Sequence, residues 1–104
     1  MTNANVLDKI KDTARRILPE NAQAILFGSR ARGTAHAESD WDILILLDKD
    51  RVTYEDYSQV AHPFNILGWD IDAMISPIIY TKKAWEEASF TPFYKNVMSE
   101  GVLL

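Results

Sequence analysis

Asp40 and Asp42, two positions apart in Ser39-Asp40-Trp41-Asp42-Ile43, are the residues best suited to chemistry. If a strand begins there, both carboxylates project from one face, near enough to share a divalent cation. Magnesium accepts one or two protein carboxylates and fills its octahedron with water and substrate phosphates, so the pair suits a metal–triphosphate site. Upstream stands Gly28-Ser29. Gly28 permits a sharp turn or a close approach of backbone to ligand, and Ser29 offers a hydroxyl and a backbone N–H to a phosphate oxygen. Arg30 and Arg32 are placed either to clamp a triphosphate or to form surface ion pairs. Transfer chemistry with two ions ~4 Å apart needs a third, bridging carboxylate. Asp72 is the candidate and Asp70 the reserve, on a strand expected over Trp69 to Ser76 that turns Asp70, Asp72 and Met74 to one face. A carboxylate there would accept the proton of an acceptor hydroxyl or lower its pKa together with the metal.

These residues need a frame. Val6, Leu7, Ile10, Ala14, Ile17 and Leu18 recur at helical spacing and predict an amphipathic helix ended by Pro19. Ala22 to Phe27 is a short apolar run that predicts a buried strand, followed by a polar loop from Ser29 to Ser39. Ile43 to Leu47 is continuously apolar and bounded by charge, the pattern of a central strand covered on both faces. Tyr54 to Leu67 has helical character with Val60 and Phe64 inward, interrupted by Pro63 and ended at Gly68. After the third strand, helices are expected over Lys82 to Ala88 and Thr91 to Glu100, the latter with Pro92 in its first turn. The order predicts an α/β or α+β layer, a small mixed sheet with helices packed against it, without fixing strand directions.

The chain has 104 residues, a length that fits a single domain over 1–104 with one core and one site. Its formal charge of -4 argues against stable binding to a nucleic-acid duplex, which requires a cationic face. Cysteine is absent, so disulfides and thiolate metal sites are excluded, and no apolar run is long enough to span a membrane. A cytoplasmic location is expected by default. His36 and His62 have no partner at metal-ligand spacing, Ser39 reads as a turn cap, and Trp69, Trp85, Phe90, Phe93 and Tyr94 read as core or contact aromatics rather than base-stacking ones. Gly-Ser after a strand and D-x-D at a strand entrance are each common in ordinary turns; it is their combination that carries information.

The run Gly28-Ser29-Arg30-Ala31-Arg32-Gly33, continuing to Ser39-Asp40-Trp41-Asp42-Ile43, resembles the signature of the DNA polymerase beta-like nucleotidyltransferase superfamily, and the short chain resembles its minimal nucleotidyltransferases. The resemblance implies a polymerase beta palm-like mixed-sheet fold, Gly28 and Ser29 on the triphosphate, Arg32 as a recurrent loop arginine, and Asp40 and Asp42 as ligands of Mg2+. It implies two ions, with Mn2+ as a substitute, and Asp72 at the third acidic position. Trp41 departs from the aliphatic residue of that pattern. The resemblance further implies ATP as donor and a small helical partner of HEPN type in a toxin–antitoxin pair, with AMP added to a partner hydroxyl. The competing reading is a non-catalytic module that binds nucleotide or partner and neutralises by contact; the two are separated by whether a third carboxylate reaches Asp40 and Asp42. A small-molecule nucleotidyltransferase is disfavoured by the short chain, which leaves little room for an acceptor pocket.

Overall fold

The computed structural model describes residues 2–104. Helix α1 spans Asn3–Ile17. Thr2 caps it, its hydroxyl accepting from the Asn5 N–H at 3.2 Å, and Arg15 and Arg16 sit in the last turn where the helix dipole favours cations. Strand β1 (Gln23–Phe27) leads into a single turn of helix, α2 (Ser29–Arg32), and β2 runs from Trp41 to Leu47. A capping box between Thr53 and Asp56 opens α3 (Tyr54–Asp56), which continues through a π-helical turn (Tyr57–Ala61) into α4 (His62–Ile71). In that turn the His62 N–H reaches back to the Tyr57 carbonyl. The widening falls immediately before Pro63, whose ring would press on the carbonyl four residues back in a regular helix. The proline therefore reshapes the helix instead of ending it.

Strand β3 (Ile75–Thr81), helices α5 (Lys82–Glu87) and α6 (Pro92–Glu100) and the two-residue strand β4 (Val102–Leu103) complete the chain. The sheet order is β3-β2-β1-β4; β1 pairs antiparallel with β2 and β4, and β2 pairs parallel with β3. This is the expected mixed sheet with helices packed on it.

Strand β2 divides the core. Trp41, Ile43, Ile45 and Leu47 join Val6, Ile10, Ala14, Val60 and Phe64 beneath α1 and α4, while Leu44 and Leu46 join Trp85 and Val97 beneath α5 and α6. Ile43, Leu44 and Ile45 are wholly buried, each worth about 1.5–3 kcal/mol of transfer free energy. That two-sided burial is what the unbroken apolar run requires. Of the five aromatics expected in the core or at a contact, Trp85, Phe93 and Tyr94 pack in the core, with Trp85 5.5 Å from Phe93 and 4.9 Å from Tyr94, whereas Trp69 and Phe90 are 72% and 78% exposed.

The third strand is not where the alternation placed it. Trp69, Asp70 and Ile71 form the end of α4, Asp72 caps it in a left-handed conformation (φ 54°, ψ 48°), and pairing begins at Ile75. Gly68 is not the helix end either; in the C-terminal half of α4 it packs so closely on the returning chain that an added Cβ would lie 2.5 Å from the Ala73 carbonyl. The alternation over 69–76 ran together a helix end, a loop and the first two residues of the strand, which spans Ile75–Thr81. Pro77 is tolerated because β3 lies at the sheet edge.

Candidate nucleotide site

Antiparallel β1–β2 and parallel β2–β3 pairing bring the end of β1 and the beginnings of β2 and β3 to one end of the sheet. Asp42 pairs with Phe27 on one side and Ser76 on the other. Paired residues face the same way, so Asp42, Ser76 and Phe27 share the α5/α6 face, at its open end. Asp40 joins them from just before β2, accepting a hydrogen bond from the Ser76 hydroxyl at 3.3 Å.

Gly28 closes this corner. It adopts φ 76° and ψ -158°, a conformation reserved for glycine, and an added Cβ would collide with the Asp42 carboxylate. Its carbonyl accepts from the Ala31 and Arg32 N–H groups and so starts α2. Gly33 ends α2 in the left-handed region with open space around it. The loop is thus a tight turn that lays backbone directly against Asp42. Ser29 opens α2 beside it.

Burial, reinforced by the negative charge of Asp40, holds the Asp42 carboxyl above its ordinary pKa of 3.8, with Arg32 pulling the other way. Arg32 is also paired with Glu100 at 3.2 Å, a half-exposed bridge that contributes about 0–1 kcal/mol and leaves the guanidinium available to a phosphate. Glu100 was not singled out by sequence; a lone acid at a helix end gives no signal until the fold sets it beside the loop.

Arg30 takes a different part. Its guanidinium donates to the Ser39 carbonyl at 3.0 and 3.3 Å, to the Ala37 carbonyl at 3.4 Å and to Asn3 Oδ1 at 3.3 Å, and stacks 4.6 Å from the Trp41 ring. It staples the loop before β2 to α1 on the opposite face from Asp42. Of the two roles weighed for Arg30, clamp or ion pair, neither describes these contacts: its donors meet two backbone carbonyls and the Asn3 side chain. The same contact accounts for Trp41, which is buried and roofs this staple.

Asp72, expected as third ligand, and Asp70, its reserve, stand exposed at the end of α4 and not on a strand beside β2. Asp72 lines a 760 Å³ cleft with Arg30, Trp41, Asn65, Trp69 and Met74, and neither Asp40 nor Asp42 reaches it. Among the described residues no three His, Asp or Glu side chains come together in a group able to hold a metal ion. The neighbour of Asp42 on β3 is Ser76, which sequence reading passed over because only parallel pairing identifies it.

A family model described as a nucleotidyltransferase domain matches residues 7–104. The chain belongs to the nucleotidyltransferase domain family. It is 38% identical over 72 residues, 69% of this chain and 72% of the other, to MJ0141 of Methanocaldococcus jannaschii, provisionally a protein adenylyltransferase. Its fold is that of a toxin–antitoxin structure solved with AMP-PNP (TM-score 0.63, 24% identity, 98% of this chain and 72% of that one). A mutant MntA–HpeT toxin–antitoxin shares it likewise (TM-score 0.64, 24% identity, 100% and 72%).

For a nucleotidyltransferase the donor set can be tested against the metals the resemblance implied. Two carboxylates at one corner, one raised in pKa by burial and by the other's charge, fit a single hard cation shared with substrate phosphates. The turn at Gly28 lays backbone beside them. Two ions bridged by Asp40, Asp42 and Asp72 do not fit, because Asp72 stands elsewhere.

Proposed function

We propose that this nucleotidyltransferase moves AMP from ATP onto a hydroxyl of a partner protein, a small helical protein of HEPN type, with Asp40 and Asp42 holding one Mg2+ and Gly28, Ser29 and Arg32 meeting the triphosphate. The observation that carries the reading is the corner where the glycine turn abuts Asp42 while Asp40 and Arg32 flank it. Support for the donor and acceptor comes from the relative provisionally assigned to protein adenylylation and from the AMP-PNP-bound toxin–antitoxin neighbour.

In this reaction the acceptor oxygen forms a bond to the α-phosphorus, the bond from that phosphorus to the oxygen leading to the β-phosphate breaks, and pyrophosphate leaves. The hydroxyl proton passes to solvent or to a base of the acceptor. A bound divalent cation supplies charge neutralisation to the phosphates. Asp40 and Asp42 orient the donor, Ser76 fixes Asp40 by its hydrogen bond, and Arg32 offsets negative charge on the triphosphate.

A second reading, neutralisation of the partner by contact alone, is favoured by the absence of a third acid beside Asp40 and Asp42 among the described residues. Incubation with α-labelled ATP, Mg2+ and the neighbouring gene product separates the two. Transfer to the partner that disappears in the Asp40→Asn/Asp42→Asn variant supports the enzyme. Absent transfer, with partner binding that survives both substitutions and needs no metal, sinks it in favour of the contact module.

A further inference from the structure

We infer that Ser76 occupies the third ligand position of the nucleotidyltransferase site, so that this chain takes one divalent cation with its nucleotide where a third acid would admit two. The inference rests on the reading that Asp40 and Asp42 hold a metal–nucleotide, and concerns how many ions they hold.

Position makes the case first. Strands β2 and β3 are parallel neighbours, and Ser76 is the register partner of Asp42. A side chain at 76 therefore projects from the same face as Asp42, from the adjacent strand, which is where a bridging ligand must stand. The 3.3 Å hydrogen bond from the Ser76 hydroxyl to Asp40 Oδ2 shows that this side chain reaches the carboxylate pair.

Chemistry makes it next. A serine hydroxyl is neutral, and here it donates its proton to Asp40, occupying one acceptor site of that carboxylate and adding no negative charge. Two carboxylates with triphosphate oxygens satisfy one magnesium ion; a second ion a few ångströms away would lack an anionic bridge. Among the described residues no other acid joins the pair. Asp70 and Asp72 are exposed at the end of α4, Asp72 lining the cleft on the Trp41 side, and Glu100 is paired with Arg32 at 3.2 Å. Ser76 is thus a positioning residue for Asp40 and the position that limits the ion count.

The count is measurable directly. Mn2+ bound per chain is titrated by electron paramagnetic resonance at saturating AMP-PNP, for the wild type, Ser76→Asp, Ser76→Asn and Asp42→Asn, each checked for fold by circular dichroism. The expected result is one nucleotide-dependent ion in the wild type and in Ser76→Asn, and two in Ser76→Asp. Label transfer from ATP should rise in Ser76→Asp on the order of 100-fold, the lower range for a newly positioned proton acceptor. Two ions in the wild type, or one in a folded Ser76→Asp, overturn the inference while leaving the metal–nucleotide reading standing. Nucleotide-dependent Mn2+ that is absent from the wild type, or unchanged by Asp42→Asn, overturns both. The wild-type count decides by itself if Ser76→Asp does not fold.

Discussion

Replacing Gly28 by alanine imposes two separable costs at one position. The first is backbone strain: at φ 76° and ψ -158° a residue with a Cβ is held in a region costing about 1–3 kcal/mol. The second is the collision of the new methyl with the Asp42 carboxylate, which must leave its rotamer at about 1 kcal/mol. Together these give ~2–4 kcal/mol, and since 1 kcal/mol moves the midpoint of a domain this size by about 4–8 °C, Tm should fall by roughly 10–30 °C. Gly33→Ala is the internal control. It carries a left-handed strain of about 1–2 kcal/mol with no neighbour within 4 Å, and should lower Tm by roughly 4–15 °C without disturbing nucleotide binding. Thermal denaturation followed by circular dichroism measures both, and fluorescent ATP-analogue binding should be lost only in the Gly28 variant. A double-mutant cycle isolates the collision: in an Asp42→Ala background Gly28→Ala should cost about 1 kcal/mol less, while the backbone part remains. If Gly28→Ala costs no more than Gly33→Ala, or the cycle shows no coupling, the close approach of turn and carboxylate is refuted.

Asp42→Asn should stabilise the protein near neutral pH. Burial and then the charge of Asp40 raise the native pKa above 3.8, so the native state holds its proton to higher pH than the unfolded chain and loses stability as pH rises through that window. The variant's advantage, about 0–1 kcal/mol for a group this exposed, should appear in Tm above the raised pKa and close at pH 3.8 and below. Arg30→Ala removes a charged donor to two backbone carbonyls and a stacked cation, so about 2 kcal/mol of stability should be lost in urea denaturation, with new proteolytic cleavage between residues 34 and 39. Asp72→Gly relieves φ 54° at the cap of α4 and should raise stability by about 1 kcal/mol while leaving nucleotide-dependent Mn2+ binding intact. Loss of that binding would return Asp72 to the site.

Much of this protein was written locally. The helical spacing from Val6 to Leu18 and the unbroken run from Ile43 to Leu47 each imply one kind of burial, and both elements form as expected, within two or three residues. The Gly28-Ser29 and Asp40-x-Asp42 patterns were legible because each arrangement depends on neighbours in sequence: a turn that only glycine can make, and two carboxylates at alternate positions where β2 begins. The third strand was not, since a short alternation at a helix end looks the same as a half-buried strand until the Gly68–Ala73 packing and the pairing from Ile75 decide. Arg30 and Arg32 stand two apart in a four-residue helix, and sequence cannot tell which faces the carboxylates; Trp41 and the loop carbonyls take one, Glu100 and Asp42 the other. Ser76 was invisible for the same reason. Its bearing on Asp40 exists only because β3 returns parallel to β2 in one register, and register between strands 34 residues apart is set by packing of the intervening helix, not by any local preference of the residues themselves.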